Sequence, residues 1–162
     1  MQNKKRRYSF GVWPSGLALA LAVNLLASGC AMQKEDYEGT WIVTETLQPG
    51  IAAMSPNQAG QQLGASITYL DDQAQLGQHH CSSPHYASRT LPAGEVMQHY
   101  RVAPDALFGN NDKVREIQVS CDEAGPKLGQ TLLLQPDGAA YTVIDGVFFR
   151  LEKAASQTDV MS

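Results

Sequence analysis

Three cysteines and four histidines give this chain its widest chemical range: Cys30, Cys81 and Cys121, with His79, His80, His85 and His99. Imidazole and thiolate are ligands for zinc and copper, and His79, His80, Cys81 and His85 stand close together. Adjacent residues of an extended chain point to opposite faces. His79 and His80 therefore do not converge easily on one ion, and the spacing matches no closed zinc motif. The expectation is no resident metal and no cofactor, with His79, His80 and His85 as the candidate ligands should a metal be present. Ser82, Ser83 and Ser88 lie near His80 and His85. A nucleophile also needs a base in reach and a third group to orient it, and no Gly-x-Ser-x-Gly occurs. Asp71-Asp72 and Asp122-Glu123 are adjacent carboxylates at the ends of apolar runs, where solvated turn residues are expected more often than an acid–base pair. No glycine loop for phosphate is present. The chain reads as a non-enzyme.

The elements that must position these residues are short. Gln135-Pro136-Asp137-Gly138 and Ile144-Asp145-Gly146 each carry Asp-Gly, which supplies the positive φ of tight hairpins. Gly109-Asn110-Asn111-Asp112 is a looser turn. Runs rich in β-branched and aromatic residues predict strands near 39–46, 65–70, 96–102, 114–121, 131–135, 139–144 and 147–152. In the fourth of these, Arg115, Ile117, Val119 and Cys121 alternate with Val114, Glu116, Gln118 and Ser120, so one face meets a core. Ser55-Pro56-Asn57-Gln58 offers a serine N-cap, proline at the first helical position and glutamine three residues after the cap, and Gly64 ends that helix. The expected fold is all-β, a small antiparallel β-barrel or barrel-like sheet with one short helix. Trp41, Val43, Ile117, Val119, Leu133 and Phe149 are its expected interior. Residues 73–94 read as a Ser/Pro-containing loop.

Charge is distributed unevenly. The whole chain has twelve basic and sixteen acidic residues, a net charge of −4. Lys4, Lys5, Arg6 and Arg7 stand before the first acidic residue, Glu35, so from Cys30 onward the net charge is −8. An acidic body without a basic stripe is a poor binder of nucleic acid, whose affinity rests on Lys and Arg at phosphates. The basic start precedes an apolar stretch, Phe10 to Leu26, with an uninterrupted core only from Leu17 to Val23. That is far short of the roughly 20 apolar residues of a membrane span and has the pattern of a secretory signal. It ends in Leu26-Ala27-Ser28-Gly29-Cys30, and Ala27-Ser28-Gly29-Cys30 resembles the lipobox of bacterial lipoproteins. Ala27 stands where that family usually has a larger aliphatic residue. The resemblance implies cleavage before Cys30, a diacylglycerol on its sulfur and acylation, commonly palmitate, of the new amine. Two or three acyl chains make a stable anchor, at roughly 0.8 kcal/mol per buried CH₂. Ala31, not an aspartate, follows the cysteine, which in that family implies sorting to the outer membrane, facing the periplasm. The organisation is then a signal peptide over 1–29, lipidated Cys30 and a polar tether over 30–38, a β domain over 39–153 and a tail over 154–162.

With Cys30 acylated, Cys81 and Cys121 remain as one pair in an oxidising compartment, so a disulfide is expected. Two further resemblances concern the body. Gly39-Thr40-Trp41 resembles the Gly-x-Trp opening of lipocalins, in which a basic residue of the last strand packs over the tryptophan at one barrel end. Arg150 in Phe148-Phe149-Arg150-Leu151 is the candidate for that residue, since a guanidinium stacks on an indole face. Gly138-Ala139-Ala140-Tyr141, with Phe148-Phe149 and Glu152-Lys153-Ala154, is similar to the end of periplasmic C-type lysozyme inhibitors. These are disulfide-bonded β-barrel lipoproteins that insert a serine-containing loop into the enzyme cleft. The corresponding loop here, Leu134 to Gly138, has no serine. The expected function is a non-catalytic, lipid-anchored binding protein of the bacterial envelope that engages a protein partner. A charge of −8 would steer a cationic partner toward it. The alternatives are a lipocalin-like carrier of a small apolar ligand, and a lysozyme inhibitor or other inhibitor or immunity protein.

Overall fold

The computed structural model describes residues 34–155 apart from 104, 110, 123 and 124. Cys30, the expected signal peptide and the end of the tail lie outside the described residues.

Nine strands form a single antiparallel sheet, strongly curled into a half-barrel. In chain order they are β1 (Gly39–Leu47), β2 (Ser66–Tyr69), β3 (Gln73–Leu76), β4 (His79–Ser82), β5 (His85–Pro92), β6 (Lys113–Ser120), β7 (Thr131–Leu134), β8 (Ala140–Ile144) and β9 (Val147–Lys153). Their order across the sheet is β4-β3-β2-β1-β9-β8-β7-β6-β5. Every neighbour is also a neighbour in sequence except β1 and β9, which meet in the middle. The seam of the curl lies between β4 and β5, where the chain passes through Ser83 (φ 56) and Pro84 without a ladder between the two strands.

The hairpins follow their turn residues. In β8–β9 both Asp145 (φ 52) and Gly146 (φ 79) take positive φ, as a two-residue turn matched to strand twist requires. Gly146 is also a close approach, because a Cβ there would stand 2.6 Å from the Ile51 carbonyl oxygen. In β7–β8 the Gln135 N–H donates to the Ala139 carbonyl at 2.8 Å, and the Gly138 N–H to the Gln135 carbonyl at 3.0 Å. The first helix, α1 (Pro56–Gly60), carries the expected capping box between Ser55 and Gln58 and places Ala59 in the core.

Three expectations need correction. Residues 96–102 are not a strand: α2 (Ala93–Tyr100) occupies 96–100, and Arg101, at φ 57, caps it. Val96 is buried, Tyr100 is half-buried, and Met97, Gln98 and His99 are exposed, which is helical spacing rather than alternation. A third short helix, α3 (Asp105–Phe108), follows, so the sheet carries three helices among the described residues. Residues 73–92 are not a loop but three strands, β3, β4 and β5.

Period-two alternation divides the strands between two cores. Ile67, Tyr69, Leu76, Cys81, Ile117, Val119, Leu132 and Phe149 belong to the first. It joins strands from both ends of the sheet and therefore fills the concave side. Leu133 and Phe148, one residue out of phase, face a second core with Leu91, Val114 and Tyr141. There Val96 of α2 and Leu107 and Phe108 of α3 cover the convex side. Leu133 is thus buried, but on the face opposite to the expected interior.

Candidate functional site

The sheet end where β1 starts and β9 finishes carries an open cleft of about 640 Å³. Asp36, Trp41, Asp137, Arg150, Glu152 and Lys153 are among its lining residues. One wall is the β7–β8 turn, whose Pro136, Asp137 and Gly138 are exposed. A second hollow of about 260 Å³ shares Asp36, Gln135 and Pro136 with it and adds Lys113 and Arg115. The turn is therefore a ridge with charged ground on both sides.

Trp41 forms the floor. It is 3% exposed, and its indole N–H donates to the Tyr37 carbonyl at 2.8 Å. Across the ladder Trp41 faces Lys153, whose ammonium lies 5.1 Å from the indole centroid and donates to the Asp36 carbonyl at 2.6 Å. Burial, with the nearby Lys34 charge, lowers the Lys153 ammonium below the ordinary lysine value. Gly39 (φ +125) makes room for this side chain, since a Cβ would stand 3.1 Å from Lys153 Cε. Arg150 does not cover the tryptophan. The β1–β9 register sets it against Glu45 beyond an irregularity between Val43 and Glu45, and its side chain is exposed at the cleft wall. The cation over the indole comes from three residues further along the strand, a distance that only the register decides.

The segment before β1 is built into the domain. Arg115 forms ion pairs with Asp36 and, at 3.8 Å, with Glu35, and its guanidinium lies 5.9 Å from the Tyr37 ring. Tyr37 packs against Tyr86 of β5 at 5.2 Å between centroids and against Tyr69 of β2 at 6.4 Å. Those strands stand on opposite sides of the seam, so Tyr37 closes the curl by side-chain packing. The Tyr69 hydroxyl donates to the Gly129 carbonyl at 2.7 Å, and that of Tyr86 to the Leu70 carbonyl at 2.8 Å. Burial, then the neighbouring Tyr37, pushes the Tyr86 hydroxyl up to about 12. Burial also raises Tyr69, and burial with Glu35, Glu38 and Asp71 nearby raises Tyr37. Sequence reasoning missed this cluster because it read Tyr37 as part of a polar tether.

Cys81 and Cys121 form a disulfide with Cα atoms 5.7 Å apart, tying edge strand β4 to the end of β6 across the same seam. The sulfur of Cys81 is thereby removed from any ligand set. His79 and His80 are neighbours on β4 and turn to opposite faces, while His85 starts β5 opposite Ser120. Among the described residues no three His, Cys, Asp or Glu side chains gather as a metal site.

A second buried cluster lies under α2. Glu116 is 2% exposed, accepting hydrogen bonds from the Arg89 guanidinium on β5 and the Tyr100 hydroxyl on α2. Burial alone would raise its carboxyl. Hydrogen bonds from Arg89, Tyr100 and Gln118, with the Arg89 charge, outweigh that and hold it below the ordinary value of 4.5. The alternation of β6 set Glu116 on the more polar face with Gln118 and Ser120, so its burial was not legible in the sequence: it follows from Tyr100 of α2 and Arg89 of β5 closing over it.

Comparison with protein-family models, curated proteins and solved structures finds no match to this chain.

Proposed function

We propose that this chain is a non-catalytic binding protein of the bacterial envelope, lipid-anchored through Cys30, facing the periplasm from the outer membrane. It engages a protein partner at the cleft beside the Gln135–Gly138 turn. The observation that carries the binding mode is the filled concave core. Ile67, Tyr69, Ile117, Leu132 and Phe149 are each 0% exposed, whereas the cleft opens outward and presents exposed Asp137, Arg150 and Glu152. Occupied core volume favours an external contact over carriage of an apolar ligand in a lumen. The anchor and the address rest on residues 4–31 alone, through the basic start, the short apolar core and the Ala27–Cys30 run.

Site-specific photo-crosslinking in cells tests the cleft, with a photoreactive residue placed at Asp137 or Arg150 and, as control, at Asn57 in α1. A discrete protein adduct from 137 and 150 that is absent from 57 supports the reading. No adduct, or the same adducts from all three, overturns it. An apolar ligand mass in the native mass spectrum of the purified protein would favour the carrier. Cys30→Ala tests the anchor separately: the protein is expected to leave the membrane fraction, and retention would defeat lipidation.

A further inference from the structure

The two free edges of the sheet are unequal: β4 has four residues and β5 has eight. β5 pairs with β6 through eight consecutive positions, from His85↔Ser120 to Pro92↔Lys113, without a bulge. In an antiparallel ladder about half of an edge strand's N–H and C=O groups face away from the neighbour. Among the described residues no hydrogen bond reaches the outward backbone of 87–91. Edges are usually blunted by charged side chains, above all lysine, by proline or by bulges; this strand has no lysine and no bulge, and its one proline, Pro92, is its last residue. Its one full cation, Arg89, is drawn onto Glu116. Ala87, Ser88 and Thr90 are small and exposed.

Charge and register together indicate what covers this edge. A net charge of −8 from Cys30 onward opposes the approach of two copies. β5 itself contains no carboxylate, and Glu116 balances Arg89 beside it, so this strip is where two acidic bodies can meet. The strand is also self-complementary about Ser88. With a twofold axis at Ala87, Tyr86 would face Ser88 rather than a β-branched residue, and with the axis at Arg89 two guanidiniums would face each other. Like charges directly opposite destabilise a ladder. With the axis at Ser88, Tyr86 faces Thr90, Arg89 faces Ala87, His85 faces Leu91 and the two serine hydroxyls meet. Aromatic–β-branched and hydroxyl pairs are favourable cross-strand partners.

We infer that β5 is a homodimer interface, two copies joining antiparallel about a twofold axis at Ser88 so that one continuous sheet runs through both. The contact is isologous and therefore closes at two copies. An extended segment of an unrelated protein is the competing occupant.

The test uses the full-length protein extracted from membranes in detergent. Native mass spectra of the wild type are expected to show a dimer, and a monomer at micromolar concentration would overturn the inference. Ser88→Cys is expected to yield a disulfide-linked dimer on a non-reducing gel, because paired Cα atoms lie about 4.5–5.5 Å apart, within reach of a disulfide. In the same register two copies of Thr90→Cys stand roughly 13 Å apart along the strands, so that variant should cross-link at least about tenfold less. Equal cross-linking of the two variants, or linkage of Ser88→Cys to a different protein, would also overturn it. Ser88→Lys should give a monomer that keeps the Cys81–Cys121 bridge and its strand circular dichroism. A persistent dimer in that variant defeats the register.

Discussion

Lys153 and Glu116 are charges held for opposite reasons, and each predicts its own measurement. Lys153 lies along the indole of Trp41 with its ammonium on a carbonyl, so its stem and its charge both contribute. Lys153→Ala should cost about 1 kcal/mol in chemical denaturation, whereas Arg150→Ala should leave the midpoint unchanged. Trp41→Ala removes a large buried ring and should cost about 3–5 kcal/mol. Glu116 has a folded value below its unfolded one. Its contribution is therefore present above the unfolded carboxyl value near 4.5 and is lost as pH falls through the folded value. Denaturation midpoints from pH 7 down to 3 should drop in wild type, and Glu116→Gln should flatten that drop. An unchanged slope would show that other carboxylates dominate. Tyr100→Phe removes a hydrogen bond to a buried charge and should cost about 1.5–3 kcal/mol.

Among the elements, those with local signals were legible and those decided by tertiary packing were not. The capping box of α1 and the Asp-Gly turns appear in the structure as the residues dictate, because their hydrogen bonds lie within a few positions. Ser55→Ala should consequently cost about 0.5–2 kcal/mol, read by thermal denaturation. β3 and β4 were missed although Ala74 and Leu76 alternate with glutamines, because four-residue strands carry little periodicity. β5 has only Leu91 buried, so its extended form follows from pairing with β6 rather than from a hydrophobic pattern. In α2 the aliphatic and aromatic residues suggested a strand, yet the spacing of Val96 and Tyr100 is helical. The cleft was half legible. Trp41 and the β7–β8 turn could be found in sequence, but the exchange of Arg150 for Lys153 depends on the β1–β9 register.

For the whole molecule, the seam is the weak line. It has no backbone ladder between β4 and β5, and the Cys81–Cys121 bridge and the Tyr37, Tyr69 and Tyr86 rings hold it. A bridge across 40 positions stabilises by about 4 kcal/mol in the chain-entropy picture. Reduction should lower the denaturation midpoint accordingly. Hydrogen exchange after reduction should then accelerate first in β3 and β4 and last in β8 and β9. Uniform acceleration would show that the sheet opens as one unit.

The meeting of β1 and β9 also sets a timetable. Neighbouring pairs such as β8–β9 or β6–β7 close over short loops and can form early, but Trp41 must wait for Lys153, almost the whole domain later in the chain. Contacts of such long sequence separation slow folding, because loop-closure entropy is lost before the pairing compensates for it. The strand at the middle of the finished sheet is the last one synthesised, so a nascent chain leaves the ribosome as two partial meanders with no shared centre. Removing the final strand would therefore split the sheet in two rather than trim an edge.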